Sequence, residues 1–170
     1  MDSPKELFAK GYYIYALFRG LHLSIENDIK KSLCKYNISF PCFRVLWNLY
    51  FDPNITMSKI SVHLQTDISN VFRQLRKLEE LGMVTLKSGK DARTKDICLT
   101  DKGRSLVSNY IDDHASENHF QFTKILEEID PEDLNKLTHI TTKLGASLTG
   151  EYYTEWVSKS ALNIENEKLV

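Results

Sequence analysis

Apolar residues recur every three or four positions along most of this chain of 170 residues, a spacing that places side chains on one face of an α-helix. The first such stripe runs from Ile14 to Leu33 and predicts a helix over about residues 5–35. A second stripe begins at Phe43 and stops before the Asp/Pro/Asn turn of residues 52–54. The N-terminal part is therefore predicted to consist of two consecutive helices.

The next pattern, between residues 56 and 104, predicts two short helices followed by two short strands. The helices are expected over about residues 57–64 and 67–81, with Thr66 or Asp67 as the N-cap of the second. Two helices joined by a tight turn form a helix-turn-helix. Residues 83–100 then alternate in the manner of a β-hairpin around a charged turn.

The C-terminal part is again helical in its pattern. One long helix is predicted over about residues 101–126, and Asp130-Pro131 marks the start of another that extends to Leu148. Residues 152–157 predict a further short helix, and residues 163–170 a frayed tail. The predicted fold class is therefore mainly α, with a small β-hairpin wing.

Charge is unevenly distributed, although the formal net charge of the whole chain is −1. Residues 73–104 contain nine Lys or Arg and five Asp or Glu, a local net charge of +4. Residues 105–170 contain five basic and twelve acidic residues, a local net charge of −7. A basic block that coincides with a helix-turn-helix is typical of a surface that contacts nucleic acid.

The remaining composition narrows the class of protein. Cys34, Cys42 and Cys98 show no paired spacing, so no disulfide framework is expected. The sequence has neither the apolar run of a secretory signal nor a segment long enough to cross a membrane, and we expect a cytoplasmic protein with no membrane contact. Phosphate-binding glycine loops and hydrolase motifs do not occur, so we expect neither an enzyme nor a cofactor.

Three short blocks resemble those of a known family. They are Leu78-Glu79-Glu80-Leu81-Gly82-Met83-Val84, Asp91-Ala92-Arg93 and Leu99-Thr100-Asp101-Lys102-Gly103-Arg104. In residues, order and spacing they are similar to the blocks of the multiple-antibiotic-resistance regulator (MarR) family of bacterial winged-helix transcription factors. The resemblance covers about residues 5–149.

The resemblance implies a winged helix-turn-helix domain with N- and C-terminal dimerisation helices. The domain would span residues 1–150, and residues 151–170 would be an additional C-terminal helix or tail. The DNA-binding lobe would lie at about 39–104, between dimerisation helices at about 5–35 and 101–149. The family's homodimers read pseudo-palindromic operators. The apolar stripes of the terminal helices favour a dimer independently, because they exceed what a small winged-helix core can bury.

The polar face of the second short helix is the predicted reading surface. Asn70 suits bidentate contact with adenine and Arg73 with guanine, and Ser69 lies beside them. Arg76 and Lys77 lie further along the helix and are expected to contact phosphates. The alternative is that these side chains are only solvated helix surface.

The charged turn of the hairpin is the second predicted contact with double-stranded DNA. Arg93 would enter the minor groove, whose negative potential attracts arginine, and Asp91 would orient its guanidinium. Lys90 and Lys95 would add phosphate contacts. Phe72 stands where the family often has a small hydroxyl residue, and it either touches a thymine methyl or packs against the wing.

The resemblance also implies an effector crevice between the dimerisation helices and the DNA-binding lobe. Four side chains of the first helix could line it, or could equally be plain dimer interface: Tyr12, Tyr15, Phe18 and His22.

The cysteines carry a further candidate role. Cys34 near the junction of the first two helices is a possible redox-sensing thiol, which would require a lowered pKa. Cys42 and Cys98 are expected to be small core residues, and no metal site is predicted.

The expected function is a sequence-specific DNA-binding transcriptional regulator. It would act as a homodimeric repressor that a small-molecule effector releases from its operator. Two alternatives remain: a winged-helix protein-interaction module without DNA binding, and a thiol-based redox-sensing variant of the regulator.

Overall fold

The computed structural model of the protein describes residues 2–88, 95–116 and 120–165. These ranges are mainly helical, with one antiparallel pair of strands, which confirms the predicted fold class. A short 3₁₀ turn, Leu33–Tyr36, follows the first helix. The helices are α1 (Pro4–Ser32), α2 (Phe40–Phe51), α3 (Met57–Leu64), α4 (Ile68–Glu80), α5 (Asp101–Ser116), α6 (Gln121–Glu127), α7 (Pro131–Thr149) and α8 (Glu151–Glu165), and the strands are β1 (Val84–Ser88) and β2 (Lys95–Leu99).

The hydrophobic core lies inside the lobe formed by α2 to α5 and the hairpin. Helix α2 is central, because it packs against α3, α4, α5 and β2. The side chains with no measurable exposure come from four of these helices: Val45, Leu46, Leu49, Ile60, Val71, Leu75, Leu78 and Val107. Their burial supplies most of the stabilisation that fixes α4 against the lobe.

Two side-chain caps define the helix-turn-helix formed by α3 and α4. The Thr56 hydroxyl accepts a hydrogen bond from the Lys59 amide (3.3 Å), and the Asp67 carboxylate accepts one from the Asn70 amide (2.7 Å). Between the helices, Gln65 adopts a left-handed conformation with a φ of 51° and ends α3. The turn at Gln65 and the Asp67 cap therefore set where α4 starts.

The joint between β2 and α5 explains one of the sequence blocks. The Thr100 hydroxyl donates to the Gly82 carbonyl (2.8 Å) and accepts from the Gly103 amide (3.2 Å). The Thr100 amide donates to the Met83 carbonyl (3.1 Å). A Cβ at position 103 would overlap that carbonyl oxygen and lie 2.8 Å from Leu99 Cδ1. Threonine and glycine are thus required for α5 to start against the end of α4.

Helices α1 and α7 contain no buried residues within one chain. Large apolar side chains project from both into solvent, among them Phe8, Ile14, Leu21, Ile140 and Leu148. Contiguous exposed apolar surface of this kind usually meets a partner chain.

The prediction of one helix over residues 101–126 was wrong. Helix α5 ends at Ser116, and α6 starts at Gln121 after Phe120, whose backbone is extended (φ −81°, ψ 130°). The Phe120 ring stacks on His114 with centroids 4.6 Å apart and packs against the hydrophobic core. That packing turns the chain, and the apolar period of the sequence does not register it.

The C-terminal segment was also predicted too short. One helix, α8, runs from Glu151 to Glu165, where a helix over 152–157 and a tail from 163 were expected. Gly150 has a φ of 92° and lets α8 fold back along α7. Because Trp156 of α8 also stacks on His63 of α3, residues 151–165 are part of the folded structure.

The burial predicted for two single residues is wrong because of the position each residue takes in its helix or strand. Ile68 continues the apolar spacing of α4 in the sequence, which predicts burial, but it lies at the first position of that helix and is 49% exposed. Cys98 was expected in the core but is exposed. It pairs with Thr85 on the outer face of the hairpin, while the alternate residues Val84 and Ile97 are buried. No helix in the described part of the chain is long and apolar enough to cross a bilayer.

Candidate nucleic-acid interface

Helix α4 presents one buried face and one exposed polar face. Val71, Leu75 and Leu78 are fully buried against the lobe. The exposed face carries the predicted residues Ser69, Arg73, Arg76 and Lys77, together with Phe72, which is 40% exposed. These side chains are therefore available to a ligand, and the structure brings the four polar ones onto a single surface; their contacts with DNA stay predictions.

Asn70 lies at the edge of this face and is engaged in hydrogen bonds within the protein. Its Oδ1 accepts from Arg73 Nη2 at 2.7 Å and from Gln74 Nε2 at 3.1 Å, and its Nδ2 donates to Thr66 Oγ1 at 2.8 Å. These bonds use both lone pairs of Oδ1. An Asn side chain that contacts adenine in two places would have to release one of them.

Arg76 is oriented by a different neighbour. Its Nη1 lies 2.6 Å from Glu79 Oε2 in a pair three residues apart on the helix. The other oxygen of Glu79 accepts from the Leu86 amide of β1 at 3.2 Å. Glu79 thus connects α4 to the hairpin, and the Arg76 side chain remains more than half exposed.

Most of the predicted wing contacts cannot be placed. Lys90, Asp91 and Arg93 lie outside the described residues, and Lys95 is described only as the first backbone position of β2. On the described part of the hairpin, Lys87 is exposed opposite Asp96. The wing assignments therefore stay predictions.

The predicted effector residues lie along α1. Tyr12, Tyr15 and Phe18 are exposed, and the exposed His22 ring lies 3.3 Å from Glu26. They do not line the cavity at the junction of the lobe and the C-terminal helices. That cavity has a volume of about 370 Å³ and is walled mainly by aromatic side chains: Phe40, Phe43, Trp47, Tyr110, Phe120 and Trp156.

His63 is a buried side chain of this region that sequence reasoning missed. It is 2% exposed and stacks on the Trp156 ring with centroids 4.3 Å apart. Its Nδ1 is 2.7 Å from Asn48 Oδ1, whereas its Nε2 has no partner among the described residues. Burial lowers the pKa of the His63 imidazole and favours its neutral form. In the sequence, the feature that could have identified His63 is its position on an otherwise apolar face of α3.

The cysteines occupy different environments. Cys34 is exposed, beside a cavity of about 520 Å³ that Lys31, Lys35 and His114 help to line. Cys42 is buried as expected, and its thiol lies 3.3 Å from Gln74 Oε1. The described residues contain no cluster of three or more His, Cys, Asp or Glu side chains that could hold a metal ion.

Relatives of known class share this architecture. A family model described as the MarR family matches residues 36–94. The HTH-type transcriptional regulator Hpr of Shouchella clausii is 30% identical over 103 residues, which are 60% of this chain and 53% of that protein. The HTH-type transcriptional repressor IacR of Pseudomonas putida is 25% identical over 60% of this chain and 62% of its own length. The matched part of the chain thus spans between half and two thirds of the length of these relatives.

Solved structures agree with the sequence matches. The Staphylococcus aureus MepR–DNA complex superposes with a TM-score of 0.68 at 23% identity, over 79% of this chain and 97% of that one. A MarR transcriptional regulator from Methanosarcina mazei gives a TM-score of 0.66 at 25% identity, over 81% of this chain and 99% of that one.

A helix-turn-helix followed directly by a β-hairpin, and flanked by long helices, defines the class of winged-helix proteins. The matches in sequence and in structure specify the class further: the chain is similar to MarR-family regulators, in sequence over residues 36–94 and in fold over most of its length. The relatives named above are transcriptional regulators, which agrees with the prediction that the protein is not an enzyme.

Proposed function

We propose that the protein is a transcriptional repressor that binds double-stranded DNA as a homodimer. The observation that carries the proposal is the exposed basic face of α4. It projects from the helix-turn-helix while the opposite face of the same helix is anchored in the core. A helix held in this way can enter the major groove without deforming the lobe. The MepR–DNA complex, in which a chain of similar fold is combined with DNA, supports the same use of the fold here.

The uncovered helices support the dimer. Helices α1 and α7 bury no residue within one chain, and their exposed apolar side chains form long stripes. A second copy would cover them by two-fold symmetry and would place two α4 helices on one side of the assembly. Two reading helices related by two-fold symmetry match an operator made of two inverted half-sites.

The aromatic cavity between α2, α5 and α8 is the place we propose for an effector, instead of the stretch from Tyr12 to His22. Its volume of about 370 Å³ falls in the range of small-molecule sites. Trp156 of α8 and Trp47 of α2 both line it, so a bound molecule would bear on the C-terminal helix and on the DNA-binding lobe together. Occupancy that favours one lobe orientation would change the spacing of the two α4 helices and lower operator affinity.

A fluorescence-anisotropy titration tests the proposal. The purified protein is titrated into a duplex from its own upstream promoter region and into a scrambled duplex of equal composition. We expect tighter binding to the promoter. If each protomer contacts about three phosphates, affinity should fall about 10³-fold between about 50 and 200 mM salt.

Two results would decide against the proposal. Equal, weak binding to both duplexes would favour a winged-helix module that contacts proteins. Promoter binding whose affinity does not depend on salt would remove the role assigned to the basic face.

A further inference from the structure

Gln74 is a polar side chain on the apolar face of α4. It is 7% exposed, and its neighbours Val71 and Leu75 are fully buried. Burying an amide is unfavourable unless its hydrogen bonds are satisfied. They are satisfied here, because Oε1 accepts from the Cys42 thiol at 3.3 Å and Nε2 donates to Asn70 Oδ1 at 3.1 Å. Gln74 thus connects a buried thiol of α2 with the edge of the recognition surface.

Arg73 determines the orientation of every amide in this connection. A guanidinium group has only donors, so the Asn70 atom that lies 2.7 Å from Arg73 Nη2 must be the carbonyl oxygen. Gln74 must then present Nε2 to that oxygen and Oε1 to Cys42, whose thiol must donate. The amide nitrogen of Asn70 is left facing Thr66 Oγ1, 2.8 Å away. One charged group therefore fixes the direction of four hydrogen bonds.

The bonds place Asn70 and Arg73 in different roles. Asn70 Oδ1 has both lone pairs occupied and cannot accept from an adenine amino group without losing an internal bond. Arg73 uses one N–H of its fork on Asn70, and the side chain is exposed on the face that meets DNA. Arginine has high rotamer entropy, and holding its guanidinium before binding reduces the cost of ordering it in the complex.

We propose that Asn70 and Gln74 are positioning residues that hold the Arg73 guanidinium in the orientation in which it contacts a base. They do so through a chain of hydrogen bonds, here called the relay, that ends at Cys42 and at Thr66. The contribution of the relay to DNA recognition rests on the proposed function. The relay itself is a property of the free protein. Its consequence is that base preference at the Arg73 contact depends on side chains that do not touch DNA.

Gln74→Met tests the relay without changing charge. Methionine is similar in length, and cores tolerate it, but it removes both polar ends of the connection. We expect operator affinity to fall about 3- to 10-fold, the effect of one net hydrogen bond. Preference at the guanine read by Arg73 should weaken as it does in Arg73→Ala. Gln121→Met, at an exposed glutamine of α6, is the matched control and should change neither quantity.

A double-mutant cycle separates positioning from a general effect on folding. If Gln74 acts through Arg73, adding Gln74→Met to Arg73→Ala should cause no further loss of operator affinity. Equal losses in both backgrounds would overturn the proposal.

Asn70→Ala provides a second variant at a half-exposed position. The relay predicts that it weakens preference at the same base pair as Arg73→Ala. Weakened preference at a separate adenine, with a loss that adds to that of Arg73→Ala, would show that Asn70 reads a base directly.

Side-chain NMR of the free protein tests the relay independently of DNA. The Arg73 guanidinium should rotate slowly in the wild type and faster in Gln74→Met. Free rotation in the wild type would overturn the relay. Restricted rotation in a protein that binds no duplex would overturn the proposed function and leave the relay standing.

Discussion

The start of the recognition helix depends on one carboxylate. Asp67 caps α4 by accepting a hydrogen bond from the Asn70 amide at 2.7 Å, and its negative charge lies at the positive end of the helix dipole. The turn that Asp67 caps also carries Ser69 and Asn70. A shift in this turn would move the polar groups that we propose face DNA.

Asp67→Ala should therefore destabilise the protein by about 0.5–2 kcal/mol through loss of the cap. Urea unfolding monitored by circular dichroism measures the difference. Asp67→Asn keeps the accepting oxygen and should retain most of the stability. If alanine and asparagine cost the same, the hydrogen bond is not what stabilises the turn.

A charged cluster ties the end of the 3₁₀ turn to α5. The Asp113 carboxylate accepts from Lys35 Nζ at 2.7 Å and from the Tyr36 hydroxyl. The Lys35 ammonium group, followed by the Tyr36 hydroxyl, lowers the pKa of Asp113. Burial and the carboxylate raise the pKa of Tyr36 to about 12.

A lowered folded-state pKa means that Asp113 stabilises the fold above the ordinary carboxyl pKa of about 3.9 and loses this effect as pH falls through the folded value. The difference in unfolding free energy between wild type and Asp113→Asn should thus shrink as pH drops from about 6 to about 3. Urea titrations across that range measure it. Lys35→Met removes the main cause and should reduce the same difference; a difference independent of pH would exclude this role of the carboxylate.

For single residues, the sequence predicted the exposed polar face of α4 better than it predicted hydrogen bonds. The helical period of α4 placed Arg73, Arg76 and Lys77 on the outer face, where they are found. The hydrogen bond between Cys42 and Gln74 could not be predicted, because these residues are 32 apart in the chain and meet only after α2 packs on α4. The sign of this contact in the sequence is Gln74, a glutamine inside the apolar stripe of α4.

The orientation of α4 relative to the rest of the lobe depends on how α5 begins. Thr100 bonds to the end of α4, and Gly103 leaves room for the Met83 carbonyl. The Lys102 ammonium group also donates to the Leu81 carbonyl at 2.8 Å. These contacts make α4, the hairpin and α5 one rigid unit.

Gly103→Ala should destabilise this unit by about 1–3 kcal/mol, because the added methyl group has no space beside backbone atoms. The shift of the urea midpoint measures the loss. Ser105→Ala, at an exposed position of the same helix, is the control and should change stability little. Equal stability of Gly103→Ala and the wild type would contradict the packing described for the joint.

The sequence did not predict helix boundaries that depend on contacts between different helices. The break before α6 comes from Phe120 packing on His114, and the full length of α8 from Trp156 packing on His63. Both contacts join residues whose spacing along one helix gives no sign of them. The helix-turn-helix was predictable because its caps, glycine and apolar period are all local signals.

Across the molecule, the long helices α1 and α7 bury none of their residues within one chain. Helix α1 extends over 29 residues without burying one of them. Ile14 is 47% exposed and Leu21 is 50% exposed, and they are two helical turns apart on that stripe. Such a surface is compatible with a stable dimer and unfavourable for a monomer in water.

Sedimentation equilibrium should accordingly show a dimer for the wild type. Ile14→Glu combined with Leu21→Glu would bury two unpaired charges in the interface and should give monomers or unfolded protein. Asp2→Asn, near the exposed N-terminus, is the control and should remain dimeric. A monomeric wild type at micromolar concentration would contradict the assembly proposed for operator binding.

The proposed function depends above all on the exposed face of α4 reading DNA, and Arg73 is the side chain at its centre. The titration by fluorescence anisotropy against the promoter duplex and its scrambled counterpart compares three proteins: wild type, Arg73→Ala and Lys159→Ala. The Lys159→Ala variant loses a positive charge on the exposed side of α8 and is the control. We predict that Arg73→Ala loses about 1–3 kcal/mol of binding free energy for the promoter and much less for the scrambled duplex, while Lys159→Ala matches the wild type. Unchanged promoter preference in Arg73→Ala would exclude this face of α4 as the surface that reads the operator.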